Sequence, residues 1–368
     1  MLTIRLKKRP RPLTSPIASL ALVLASVAAA LVVSAFVVTL IGVSPLQTYW
    51  VMLTGAFGST AGVVSVVLKA TPILLTGLGT CVEFRSGQWN IGGDGQIYMG
   101  ALGATLVGLT FGELSPWLLA PLALLAGFVA GGLWAVVPGL LKAFGNVSEI
   151  ISTLMLSYVA SFVIQYLVEG PLQGSSSYMP QTNLIAEAAR LPLLAPPYRV
   201  HAGSIVAIVM TIAVYILLWR SSFGYELRAA GYSPDCARYG GIKVARNIVW
   251  VLVISAGLSG LAGANEVLGF HHRLFDGISP GYGFTGIIVA LLGRLNPLGI
   301  ALSSVLFSAL IVGANQAQSV VGVPSAIAGI IQGIVILFVL ATEVLLEYRP
   351  SISLSSKTTQ LTHRVQDA

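Results

Sequence analysis

Charge is what this 368-residue sequence has least of. Lys, Arg, Asp and Glu together make up 9% of it, against roughly 25% in an ordinary soluble chain. That is too little polar surface for a soluble globule of this size, which excludes a soluble enzyme and a disordered scaffold. Cysteine is almost absent as well. Cys81 and Cys236 alone make no disulfide framework, which excludes a small secreted disulfide protein. Signatures of chemistry are missing too. No G-x-x-x-x-G-K-[ST] occurs, so ATP is not bound here through a P-loop. H-E-x-x-H, C-x-x-C and G-x-S-x-G are also absent. The histidines His201, His271, His272 and His363 are scattered, and no carboxylate or Cys stands at ligand spacing from the His271–His272 pair. That pair reads as a polar turn at the outer interface. No metal or cofactor is expected.

What the sequence has is apolar length. Hydrophobic residues make up 55% of the chain, and its mean hydropathy is +0.87. A bilayer crossing needs about 20 apolar residues. Ten runs qualify as candidates: 17–41, 61–80, 97–112, 117–142, 147–168, 201–220, 248–268, 284–296, 299–316 and 323–347. Runs 97–112 and 284–296 are short, which sets the expected range at eight to ten. The expected fold is an all-α polytopic membrane protein. A basic tail (1–16) precedes one transmembrane domain (17–347), and a second tail (348–368) follows. The first run is longer than the roughly 7–15 residues of a signal-peptide core, so it reads as a retained helix despite Ala28, Ala29 and Ala30.

The net charge of +7 is informative once its residues are located. With ten spans and a cytoplasmic N-terminus, 16 of the 20 Lys and Arg fall inside. They begin with Arg5, Lys7, Lys8, Arg9 and Arg11, and five more (Arg220, Arg228, Arg238, Lys243 and Arg246) share one loop. Arg190, Arg199 and Arg273 fall outside, and Lys69 lies within the second span. Cytoplasmic loops carry such an excess of Lys and Arg. Both termini are therefore expected in the cytoplasm, and the basic balance is read as orientation, with no nucleic-acid partner.

Three segments interrupt the apolar pattern. The stretch from Glu83 to Ile97 is polar and rich in glycine, with Asn90, Asp94 and Gln96 among its polar groups. Irregular backbone at membrane depth is tolerated only when buried in protein or lining a wet cavity. Spacing leaves two readings open: a plain cytoplasmic loop, or a helix break facing a solute route. The second segment, 221–247, holds two short helix patterns. Ser233-Pro234-Asp235 is a helix-start signal, and Gly240-Gly241 ends the second pattern. Such length exceeds a mere connection, since median loops are about 4–6 residues, and it suggests a docking surface. The third segment, Gly277 to Gly299, opens with another Gly-rich break. Five spans separate the first break from the third, and this odd offset suggests an inverted repeat with broken helices at a transport site. The long outer loop 169–200 contains five prolines. Pairs such as Gly58/Gly62, Gly127/Gly131 and Gly329/Gly333, with the stripe from Ser255 to Gly263, suggest close helix packing.

These segments resemble a known family: the permease subunits of ATP-binding-cassette importers for simple sugars, nucleosides and branched-chain amino acids. Asn90 to Gln96 (N-I-G-G-D-G-Q) is similar to the family's N-I-G-x-[ED]-G-Q signature. Leu227 to Ile242 resembles L-R-A-x-G-x-x-P-x-A-A-x-Y-x-G-I, and Tyr282 to Gly299 and Glu149 to Tyr158 match two further blocks. The resemblance covers residues 60–345 and leans to the nucleoside branch. Two positions depart from the pattern. Ser157 stands where the family usually has Asn, and Cys236-Ala237 replaces Ala-Ala.

The resemblance implies a non-catalytic transport subunit of the bacterial inner membrane. Its implied partners are an ATPase subunit, a second permease subunit (the same chain or another), an extracytoplasmic binding protein or lipoprotein, and membrane lipids. It implies that Glu226, Leu227, Arg228, Ala229, Gly231, Pro234, Arg238, Tyr239 and Gly241 couple the chain to the ATPase. Trp89, Asn90, Asp94, Gln96, Glu149, Asn265, Glu266, Phe270 and Tyr282 are the candidates for the translocation path. The expected solute is a nucleoside. A simple sugar is the alternative, and a stand-alone secondary transporter is a more distant one.

Overall fold

The computed structural model describes residues 2–8, 16–40, 42–175, 179–194, 196, 198–324, 329–331, 333–335, 337–338, 341 and 348–354. Two compact units are distinguished, Met1–Leu46 with Pro324–Ala368, and Gln47–Val323.

The first unit contains α1 (Pro16–Leu40) and a two-stranded antiparallel ribbon, β1 (Leu2–Lys8) against β2 (Tyr348–Leu354). Leu2 pairs with Leu354 and Lys8 with Tyr348. The sequence reading gives these tails no secondary structure, although Leu2, Ile4 and Leu6 alternate with polar residues at strand period. The expected last span, 323–347, lies largely outside the described residues.

The second unit is helical. Its helices are α2 (Pro45–Phe57), α3 (Thr60–Arg85), α4 (Gly93–Thr110), α5 (Pro116–Trp134), α6 (Val136–Gly145), α7 (Glu149–Glu169), α8 (Gly203–Arg220), α9 (Ser222–Tyr232), α10 (Pro234–Tyr239), α11 (Val244–Asn265), α12 (Tyr282–Leu292) and α13 (Pro297–Val321). A π-helical turn, Glu266–His271, prolongs α11. Six segments among the described residues are long and apolar enough to cross a membrane: α3, α5 with α6, α7, α8, α11 with its π turn, and α13. α4 has 18 residues but opens on Gly93, Asp94 and Gln96. α12 has only 11 residues. These are the two runs marked as short in the sequence.

Helix ends follow local chemistry. The Ser59 hydroxyl accepts the Gly62 N–H at 3.0 Å at the start of α3. The Asn296 side chain accepts the Leu298 N–H at 3.1 Å, with Pro297 in the first helical position of α13. Outward-facing Trp117, Phe162 and Leu302 are strongly exposed, as lipid-facing side chains must be. α11 is the central helix and packs against α3, α4 and α5.

Glycine sets how close these helices come. A Cβ on Gly100 would collide with the Gly260 carbonyl oxygen, and one on Gly263 with that of Ile97. A Cβ on Gly131 would lie 2.7 Å from Gly260 Cα. The stripe from Ser255 to Gly263 and the Gly127/Gly131 pair are therefore one packing seam. At Gly329 and Gly333, no atom of the described residues lies within 4 Å of where a Cβ would stand.

Candidate functional site

The two Gly-rich breaks meet. α4 and α12 begin against one another, and a Cβ on Gly93 would lie 2.9 Å from Gly283 Cα. The Asp94 carboxylate accepts the Ser279 hydroxyl at 2.6 Å and the Gly283 N–H at 3.0 Å. Beside this junction the Tyr282 carbonyl accepts the Thr76 hydroxyl at 3.2 Å, and Lys69 Nζ lies 3.3 Å from the Tyr282 hydroxyl. The Lys69 ammonium also stands 5.9 Å from the Tyr282 ring centre, within cation–π range.

A polar cluster lies next to the junction, between α3, α4 and α11. Its centre is Glu83, only 1% exposed. Glu83 Oε2 accepts from Asn90 Nδ2 at 2.9 Å and from the Ser255 hydroxyl at 2.5 Å. Gln96 Nε2 donates to Asn90 Oδ1 at 3.2 Å, and the Gly92 N–H donates to the same oxygen at 2.8 Å. A buried carboxylate needs such partners to offset its lost hydration. With Thr76, Thr80 and Ser259 these residues line a cleft that has no room for a water molecule. Sequence reasoning missed Glu83 and Ser255 as site residues. Glu83 sits at the end of an apolar helix, and its partner is 172 positions away.

The fourth motif block braces this loop from outside. The Thr153 hydroxyl accepts the Ile91 N–H at 3.1 Å, and the Ser157 hydroxyl accepts the Gly95 N–H at 3.3 Å. The residue that departs from the family pattern thus touches the signature loop directly. Glu149 is placed apart from the cleft. Its Oε2 pairs with Lys142 Nζ at 2.7 Å and its Oε1 accepts the Trp89 N–H at 3.4 Å. Trp89 packs on Phe84 with ring centres 4.5 Å apart and stays half exposed. Expected together, Trp89 and Glu149 sit beside the cleft while Asn90 and Gln96 form it.

Asn265, Glu266 and Phe270 lie at the other end of α11. Glu266 Oε2 is 3.3 Å from His271 Nε2, and His271 is flanked edge-on by Phe270 and Phe275. The outer loop lies along this turn. The Leu191 N–H donates to Leu268 O at 2.9 Å, Ile185 N–H to His272 O at 3.0 Å, and Thr182 N–H to Leu274 O at 2.9 Å. His272 has a left-handed backbone (φ 57°), and its Nδ1 is buried without a hydrogen-bond partner among the described residues. Burial lowers its pKa, helped by the nearby positive charge of Arg190. Among the described residues no group of three or more His, Cys, Asp or Glu could hold a metal ion.

The segment 221–247 folds as its signals indicate. The Ser233 hydroxyl caps α10 by accepting the Cys236 N–H at 3.4 Å, and Gly241 takes φ 83° just beyond it. One face is buried: Leu227 is enclosed, and Ala230, Ala237 and Val244 form a small core. Gly231 presses on the end of α3, where a Cβ would strike the Arg85 carbonyl. Glu226 Oε2 accepts from Asn247 Nδ2 at 3.0 Å, Arg228 Nε donates to Gly224 O at 3.2 Å, and Arg238 pairs with Asp235 at 3.4 Å. The other face presents Tyr225, Tyr232 and Tyr239, exposed by 65%, 88% and 95%.

A bundle of long apolar helices, with two glycine-rich segments in contact and an ordered surface loop, has the make-up of a polytopic membrane protein. The family described as branched-chain amino acid transport system / permease component matches residues 62–340. The chain belongs to that family. It is similar to a glucose ABC transporter permease of Haloferax volcanii, 35% identical over 338 residues and covering 89% of each chain. It is 36% identical over 315 residues to a guanosine ABC transporter permease of Bacillus subtilis, covering 84% of this chain and 89% of that one. A nucleoside ABC transporter permease of Lactococcus lactis is 29% identical over 314 residues, covering 83% and 86%. No solved structure matches the chain.

Proposed function

We propose that this chain is the membrane-spanning, non-catalytic subunit of an importer that moves a nucleoside across a bacterial inner membrane. An extracytoplasmic binding protein delivers the solute, and a separate ATPase subunit supplies the driving force. The observation that carries the reading is the α9–α10 segment. It is fixed to the bundle by Leu227 and Gly231 and turns three exposed tyrosines away from it, which suits a lever gripped by a partner. Residues 226–241 transmit that partner's movement. The meeting of α4 and α12 is what an inverted repeat would bring together, while the arrangement of about ten spans with both termini inside rests on the apolar runs and the placement of Lys and Arg in the sequence. Asn90, Asp94, Gln96 and Tyr282 are the candidates for the solute path, with Asn90 and Gln96 closed off in this structure, and the outer loop with the 269–282 turn receives the binding protein. The substrate class rests on the guanosine and nucleoside relatives. The glucose relative gives the second reading, a simple sugar.

The deciding experiment is uptake of radiolabelled guanosine and glucose by proteoliposomes holding the chain with its ATPase, partner permease and binding protein. Guanosine uptake that depends on ATP supports the first reading. ATP-dependent glucose uptake alone replaces it with the second.

A further inference from the structure

The turn between α12 and α13 holds a backbone conformation that its residues do not favour. Arg294 (φ 54°) and Leu295 (φ 51°) are consecutive left-handed residues, and neither is glycine. Such angles are uncommon outside glycine and asparagine. The turn closes α12 in a Schellman pattern: the Leu295 N–H donates to Ala290 O at 2.9 Å and the Arg294 N–H to Leu291 O at 2.8 Å. Glycine usually fills the position that Arg294 takes here. A strained backbone of this kind persists only where its surroundings hold it.

The holder is Arg85, the last residue of α3. Its Nε donates to Leu295 O at 3.1 Å, and its Nη2 donates to Arg294 O at 3.3 Å. The Cys81 thiol, one helical turn earlier, adds a donor to Leu295 O at 3.1 Å. The guanidinium also lies 5.3 Å from the ring centre of Trp219, within cation–π range. Trp219 stands in the last turn of α8, directly ahead of the lever. Among the described residues no carboxylate pairs with Arg85, so its charge is directed to the turn and the ring. The main chain of the same residue meets the lever. Gly231 of α9 presses on the Arg85 carbonyl, and a Cβ on Gly87 would lie 3.4 Å from Gly231 Cα.

We propose that Arg85 is a positioning residue that carries the lever's movement to α12, an inference that rests on the reading of α9 and α10 as a lever. Gly231 and Trp219 stand on one side of Arg85, and the α12–α13 turn stands on the other. α12 has 11 residues and moves as one short rod. Its far end is joined to Asp94 of α4 through Gly283. Displacement of the lever shifts the end of α3 and withdraws the guanidinium. Arg294 and Leu295 then relax to ordinary backbone angles, and α12 shifts at its junction with α4. The strain in the turn is what gives α12 a second setting.

The test is ATP hydrolysis by proteoliposomes holding the chain with its ATPase, partner permease and binding protein, measured without solute and with guanosine or glucose. Arg85→Lys keeps the charge but reaches one carbonyl at a time, and Arg85→Gln loses the charge as well. The ratio of solute-stimulated to basal hydrolysis should fall about threefold in Arg85→Lys and about tenfold in Arg85→Gln. Trp219→Phe keeps a ring beside the guanidinium and should retain the ratio. Arg294→Gly takes the left-handed angle without strain, so it removes the reason for α12 to move. It should lower the ratio about threefold without lowering the unfolding midpoint of the chain. A mere helix cap would behave otherwise, because its loss lowers the midpoint and the yield of complex and leaves the ratio per complex unchanged. The proposal is overturned if the ratio survives in the Arg85 variants and in Arg294→Gly, or if it falls only where the complex comes apart. A parent complex that neither solute stimulates removes the transport reading and the relay with it. A stimulated parent whose variants keep the ratio removes the relay alone.

Discussion

Asp94, at the start of α4, accepts the backbone N–H of Gly283, at the start of α12, at 3.0 Å. The residues are 189 positions apart, and the same carboxylate holds Ser279. Asp94→Ala leaves a buried N–H and hydroxyl unpaired, a loss of about 1–3 kcal/mol. Uptake by the reconstituted transporter should fall, with insertion and subunit assembly retained. Asp94→Asn keeps an acceptor and should fall less. Wild-type rates in both variants, measured in proteoliposomes, would reduce the junction to a scaffold.

Glu83 joins three segments through Asn90 and Ser255. Removing it by Glu83→Ala strands both donors in a cleft without water and should cost about 1–3 kcal/mol of stability. Glu83→Gln retains one acceptor and should lose less. Thermal unfolding of the purified chain ranks the three proteins, and equal midpoints would contradict the assignment.

The lever gives a contrast between its two faces. Gly231→Pro disturbs the contact with α3, and Arg228→Glu reverses a charge on α9. Both should abolish solute-stimulated ATP hydrolysis in the complex, with membrane insertion unaffected. Tyr232 and Tyr239 are largely exposed, so Tyr232→Ala and Tyr239→Ala should change stability by no more than about 0.5 kcal/mol. They should nonetheless weaken co-purification of the ATPase.

The seam between α4 and α11 has no room for a methyl group. Gly100→Ala should destabilise the chain by about 1–3 kcal/mol through overpacking, read as a lower unfolding midpoint. Gly241→Ala should cost less, because no atom of the described residues lies within 4 Å and only its φ of 83° resists a side chain.

His272 supplies a pH dependence. Its lowered pKa keeps it neutral in the folded chain at a pH where the unfolded chain, near 6.5, begins to take up a proton. Its contribution to stability is therefore complete above about pH 6.5 and declines as pH falls below that value. Unfolding midpoints at pH 7.5 and 5.5 should differ. The difference should shrink in His272→Asn, a residue that tolerates the left-handed backbone.

Local signals were legible and distant ones were not. Ser233-Pro234 and Gly240-Gly241 mark the α9–α10 boundaries because capping and left-handed turns depend on a few adjacent residues. The glycine breaks were visible for the same reason. Their contact through Asp94 was not, because nothing in either stretch names its partner. Trp89 and Asn90 are neighbours in sequence, and an irregular backbone sends one outward and the other into the core. Ser255 is one hydroxyl in a stripe of small residues, so only the fold distinguishes it as the partner of Glu83.

The seam of bare backbone through Gly100, Gly127, Gly131 and Gly260 bears on how such a protein moves. Helices separated by side chains can slide as rotamers exchange. Here α4, α5 and α11 touch main chain to main chain at these glycines, and little at the crossing can yield. These three helices behave as a single keel. The displacement that opens one side of the membrane and closes the other must come from the helices hung around it.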